Sequence, residues 1–101
     1  MKKTYILERS NRKGKRYVLI KDNGDSIHFG SDVGKTFADG ERTDNEKENW
    51  IARHSVNKNY HNKNSPIFYS KNLLWNKDTL EKSIRDIENK LNVKIINKTK
   101  V

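Results

Sequence analysis

Apolar and polar residues alternate in the first third of the chain and recur at helical spacing near its end. The middle follows neither rule. Thr4-Tyr5-Ile6-Leu7 is short and rich in strand-forming residues. Arg16-Tyr17-Val18-Leu19-Ile20 and Ser26-Ile27-His28-Phe29-Gly30 repeat that character. A polar turn from Ser10 to Lys15, containing Gly14, separates the first two segments. Asp22-Asn23-Gly24-Asp25 separates the second from the third, and Asn-Gly favours the positive φ of a tight hairpin turn. Strands at 16–21 and 25–29 are therefore expected to pair antiparallel, with 4–9 added as a third. The alternation puts Ile27 and Phe29 on one face and His28 on the other.

Residues 30–43 have no period and contain Gly30, Gly34 and Gly40, so they read as a long acidic loop with Val33 and Phe37 as points of attachment. Gly34-Lys35-Thr36 copies only the tail of a phosphate-binding loop, without the strand and glycine spacing that the motif needs. Thr43 and Glu46 have capping-box spacing and predict a helix over 43–57, with Trp50, Ile51 and His54 on one face. Residues 57–66 form a polar basic loop ending at Pro66. Ile67-Phe68-Tyr69 and Leu73-Leu74-Trp75 are short apolar patches expected to lie against the sheet or between helices.

Asp78 with Glu81 marks a second cap. Leu80, Ile84, Ile87 and Leu91 then repeat at the spacing of an amphipathic helix, predicted over 78–91. This stripe should meet the sheet face that carries Ile27 and Phe29. Val93-Lys94-Ile95 suits a short edge strand. The expected fold class is α+β, an N-terminal antiparallel hairpin or three-stranded sheet packed by two helices. Residues 1–96 form a single basic domain in this reading, and 97–101 form a short tail.

Composition narrows the chemistry. At 101 residues one modest core is the limit. With 32% hydrophobic and 35% charged residues the chain is polar, but two Trp, four Tyr and three Phe supply real apolar surface. The absence of cysteine removes disulfides, thiol nucleophiles and cysteine zinc sites, and favours a reducing, intracellular setting. No window is apolar enough to span a membrane, and the first apolar run stops at Glu8-Arg9, too short for a secretory leader. Three histidines, His28, His54 and His61, show no metal-binding spacing. The carboxylates are scattered, so no metal, cofactor or catalytic residue is expected and the chain does not read as an enzyme.

Charge is the stronger signal. The net charge is +9, and residues 1–21 alone hold eight Lys and Arg against Glu8. Residues 22–50 are acidic on balance, while 51–76 contain four basic residues and no acid. Arg9, Arg12, Lys13, Lys15, Arg16 and Lys21 of the hairpin, with Arg53, Lys58, Lys63 and Lys71 of the acid-free stretch, are the candidate contacts to DNA or RNA phosphates. Tyr17, His28 or Tyr60 could stack on bases. No zinc finger, ribonucleoprotein pair or basic zipper is present, so such binding would follow backbone charge rather than sequence. Trp50, Trp75, Phe68 and Tyr69 give a rival expectation, a protein-interaction or structural module using aromatic surface, although both tryptophans also suit a core.

Four runs carry a resemblance: His28-Phe29-Gly30; Trp50-Ile51-Ala52-Arg53-His54; Tyr69-Ser70-Lys71-Asn72-Leu73-Leu74-Trp75-Asn76-Lys77; and Ser83-Ile84-Arg85-Asp86-Ile87. Together, over roughly residues 16–88, they resemble an uncharacterised family of small basic proteins encoded by large double-stranded DNA viruses of algae and amoebae. The chain departs from that pattern at Phe37-Ala38-Asp39-Gly40-Glu41, where the family has an aromatic residue followed by Thr and His, and at Asp78, where it often has Pro. The missing histidine weakens any shared metal or catalytic site. The resemblance implies a viral source, and with it a setting in the host cytoplasm or nucleus or in the virion. The partner expected from charge is DNA or RNA, and the partner expected from the aromatic surface is a viral or host protein. The resemblance implies no activity.

Overall fold

The computed structural model describes residues 2–100. Three antiparallel strands come first: β1 (Lys3–Arg9), β2 (Lys15–Ile20) and β3 (Ser26–Ser31). A short 3-10 turn, Phe37–Asp39, precedes α1 (Asp44–His54). The chain continues through α2 (Pro66–Tyr69), a π-helical extension at Ser70–Leu74, α3 (Leu80–Leu91) and β4 (Val93–Asn97). The α+β class and the N-terminal antiparallel sheet agree with the sequence pattern.

β4 lies beside β1, in parallel, so the sheet has four strands in the order β3-β2-β1-β4. Sequence period locates an edge strand but does not choose its neighbour, and here the last strand returns to the first. Lys98 N then donates to Leu7 O at 2.8 Å and Arg9 Nε to Thr99 O at 2.7 Å, so the segment expected to be a tail is tied to β1. The outward amide of Ile95 donates to Glu88 Oε2 at 2.8 Å, which occupies part of the sheet's outer edge.

Both hairpin turns form where expected. In the second, Gly24 N donates to Lys21 O at 3.0 Å and Lys21 N to Asp25 O at 2.8 Å. Gly24 alone carries positive φ there, at 90°, and Asn23 does not. The turn is therefore type I closed by a glycine bulge, not the two-residue turn that Asn-Gly suggests. In the first, Lys15 N donates to Arg12 O at 3.1 Å, with Gly14 at φ 83° as the third turn residue.

Leu7, Leu19, Ile27, Phe29, Val93 and Ile95 of the sheet share one buried cluster with Tyr69, Leu73, Leu74, Ile84 and Ile87. The α3 stripe enters this core as predicted from its spacing, with Leu80 and Leu91 at its margin. It packs chiefly on the π segment and β4, whereas α2 covers β3. Residues 66–74, which the sequence shows only as short apolar patches, form one continuous helical element. Pro66 opens it at the first helical position. Asn72 Nδ2 donates to Phe68 O at 2.8 Å and Trp75 N reaches Ser70 O at 3.2 Å, so a side chain competes for the backbone ladder as it widens. Gly30, at φ 77°, lets Leu74 approach the sheet: a Cβ there would lie 2.6 Å from Leu74 Cδ1.

Thr43 caps α1 as expected, with Thr43 Oγ1 accepting from Glu46 N at 3.1 Å and Glu46 Oε1 from Thr43 N at 3.0 Å. α1 ends at His54, three residues earlier than its predicted limit. At α3 the cap is Thr79, whose Oγ1 accepts from Lys82 N at 3.2 Å, rather than Asp78. Asp78 instead pairs with Lys82 at 3.1 Å.

Candidate functional site

The last two turns of α1 place Trp50 and His54 one above the other. Their rings stack at 4.1 Å, and His54 Nδ1 lies 2.8 Å from Trp50 O. Trp75, at the end of the π segment, stacks on Trp50 at 5.3 Å with only 9° between planes. The widened helix thus brings the chain's two tryptophans together from positions 25 residues apart. Trp50 is 8% exposed, and Trp75 and His54 are half-buried.

These rings line a groove of about 370 Å³. Val33, Pro66, Ile67 and Leu74 supply aliphatic wall, and Lys15 and Lys35 stand at its margin. Val33 is 80% exposed, an apolar side chain held in solvent beside the tryptophans. A second hollow continues past Trp75 and is lined by Val33, Lys35, Arg42, Glu46, Asn49 and Arg53 among others. Glu46 is already engaged there, 2.8 Å from Arg42 Nη1.

A separate cationic cleft of about 530 Å³ opens at the first hairpin. Arg9, Arg12, Lys13, Lys15 and Arg16 line it with Tyr17, and Asp32 is its one acid. Two of the five cations have structural work. Arg9 holds Thr99 O, while Arg16 donates to Ser31 O at 3.0 Å and to Gly34 O, and lies 3.8 Å from Asp39. Arg12, Lys13 and Lys15 form no ion pair among the described residues.

The other expected phosphate contacts lie elsewhere. Lys21, at the far end of β2, donates to Asn64 Oδ1 and so joins the loop that carries Lys58 and Lys63, both exposed. Lys71 is half-buried. Its burial, and then Lys90, lower its pKa below the ordinary lysine value, with Lys47 acting the same way and Asp86 opposing. Arg53 lines the second hollow, beyond Trp75. The ten cations are therefore divided among four places.

The residues considered for stacking also separate. Tyr60 is buried, and its hydroxyl has no hydrogen-bond partner among the described residues. Tyr17 packs on Phe29 with ring centroids 6.1 Å apart. His28, on the sheet face away from the helices, has Nδ1 2.6 Å from Ser10 Oγ. Burial, then Arg12 and Lys15, lower its pKa. Among the described residues no three His, Asp or Glu side chains gather as metal ligands would, and no helix is long and apolar enough to cross a membrane.

Residues 5–54 match the model of a family of unknown function, DUF5754. The match takes in most of β1, then β2, β3 and α1, hence Trp50 and His54, and stops before Trp75. No curated protein and no solved structure matches the chain.

Proposed function

We propose that this domain is a protein-interaction module whose contact surface is the groove around Trp50, His54 and Trp75. The observation that carries the reading is the placement of both tryptophans, mutually stacked, beside an exposed Val33. Interface energy concentrates in aromatic anchors at well-packed hollows, with Trp foremost. The rings also contact the core cluster through Trp75, so the groove has a rigid floor. In this reading the protein is virus-encoded and its partner is a viral or host protein, met in the host cell or in the particle.

The test is affinity capture with the wild type and with Val33→Glu. The substituted side chain is exposed, so the melting temperature should stay unchanged. Partners held by the groove should disappear from the variant's capture. A partner set unaffected by Val33→Glu would reject the groove.

A second reading rests on the hairpin cleft: charge-driven contact with DNA or RNA. Five cations facing one hollow support it. Replacing Arg12, Lys13 and Lys15 together should weaken duplex and single-stranded DNA alike, lowering the salt slope by about 0.9 per lost contact on duplex. Absence of binding at about 0.05 M salt would reject this reading.

A further inference from the structure

Resting on the groove reading above, we propose that the groove's occupant is a short acidic peptide segment with one bulky apolar side chain, the side chain seated against Trp75 and Val33 and its flanking carboxylates on Lys15 and Lys35. Size argues first. About 370 Å³ is at the small end of the ~300–1,000 Å³ range of ligand clefts. It suits one inserted side chain better than the face of a folded domain.

The lining argues next. Aromatic and aliphatic residues make the walls, and no carboxylate lines the groove. Lys15 lines both the groove and the hairpin cleft, so it stands between the two hollows. A chain leaving the groove past Lys15 heads towards the hairpin cleft that Arg12 and Lys13 line. Leaving past Trp75, it meets Lys35 and Arg53, where the one acid of the hollow, Glu46, is already paired with Arg42. Lys35 is 3.8 Å from Glu41 with both side chains largely exposed, a weak pairing that a partner can replace. Basic exits at both ends favour an acidic segment and repel a basic one.

Nucleic acid shares the charge requirement but not the seat. Base stacking needs a free ring face, which Trp50, stacked on both His54 and Trp75, does not offer. The aliphatic wall of Val33, Pro66, Ile67 and Leu74 suits an apolar side chain better than a base edge.

The experiment selects a random-peptide display library on the immobilised full chain. Enriched peptides are then titrated by intrinsic fluorescence, which reports directly because both tryptophans line the groove. Enriched sequences should carry a bulky apolar residue between Asp and Glu. Lys15→Glu with Lys35→Glu should weaken them about tenfold or more, and Val33→Glu should abolish the signal. Uncharged or basic sequences that Val33→Glu still blocks would overturn the acidic partner and leave the groove reading standing. Enriched peptides indifferent to Val33→Glu would overturn both. Failure to enrich any peptide would overturn the proposal, and a fluorescence change with a single-stranded oligonucleotide, lost in Val33→Glu, would then assign the groove to nucleic acid.

Discussion

Two glycines with nearly the same φ stand in opposite surroundings. At Gly24 a Cβ would meet nothing within 4 Å, so alanine pays only the left-handed backbone penalty, about 1 kcal/mol. At Gly30 the same strain is joined by contacts at 2.6 Å to Leu74 and 3.3 Å to Arg16. Gly30→Ala should cost roughly 2–4 kcal/mol, and urea denaturation of the two variants should separate them clearly. Tyr69 supplies a pH effect. Burial, then Tyr5, push its phenol up to about 12. The folded state holds the proton that the unfolded chain releases near 10, so this stabilisation is complete below pH 10 and is lost as pH rises towards 12. Stability should fall by about 1.4 kcal/mol per pH unit within that window, and Tyr69→Phe should flatten the profile. Burial also raises the pKa values of Tyr17 and Tyr60, which act in the same sense.

At the scale of elements, legibility followed periodicity and turn chemistry. α3 was readable because four apolar residues keep one face, although the cap its spacing suggests, Asp78, gives way to Thr79. Residues 66–74 were not readable. Four α-helical residues followed by a π turn present neither a 3.6-residue nor a two-residue period. The groove inherits that difficulty. Trp50 and His54 share a helix face visibly, but Trp75 reaches them only through the π segment. The cap of α1 bears on stability rather than on the stacked rings. Thr43→Ala removes an acceptor for Glu46 N and should cost about 1 kcal/mol, with greater fraying of α1 by amide exchange. The Trp50–His54 stack lies at the other end and should survive.

Across the whole molecule the charge is the dominant imbalance. Apart from Arg16–Asp39, the ion pairs of the described residues join side chains at least 30% exposed, and pairs of that kind are worth 0 to ~1 kcal/mol each. Against them stands a net +9 on a body with a longest extent of 37 Å. Two like charges roughly 15 Å apart repel by ~0.3 kcal/mol in water, and many such pairs act together. Raising salt from about 0.01 M to 0.15 M, where the screening length shortens to about 8 Å, should therefore raise the melting temperature by a few degrees. A fall would show that the ion pairs outweigh the repulsion. The sequence displayed this imbalance but not its geography. Which cations meet was decided by strand pairing, which put Lys21 at the opposite end of β2 from Arg12 and Lys13.

The partnership of β4 with β1 also sets an order on synthesis. Lys3 leaves the ribosome ninety residues before Val93, the residue that faces it. Through that interval the nascent chain can form both hairpins, but β1 keeps one side of its backbone unpaired, and the buried side of Leu7 waits for Val93 and Ile95. The sheet is therefore completed only when β4, made later, pairs back onto β1. A chain interrupted before β4 would present an open strand to its neighbours during translation, the arrangement most prone to pair with another copy.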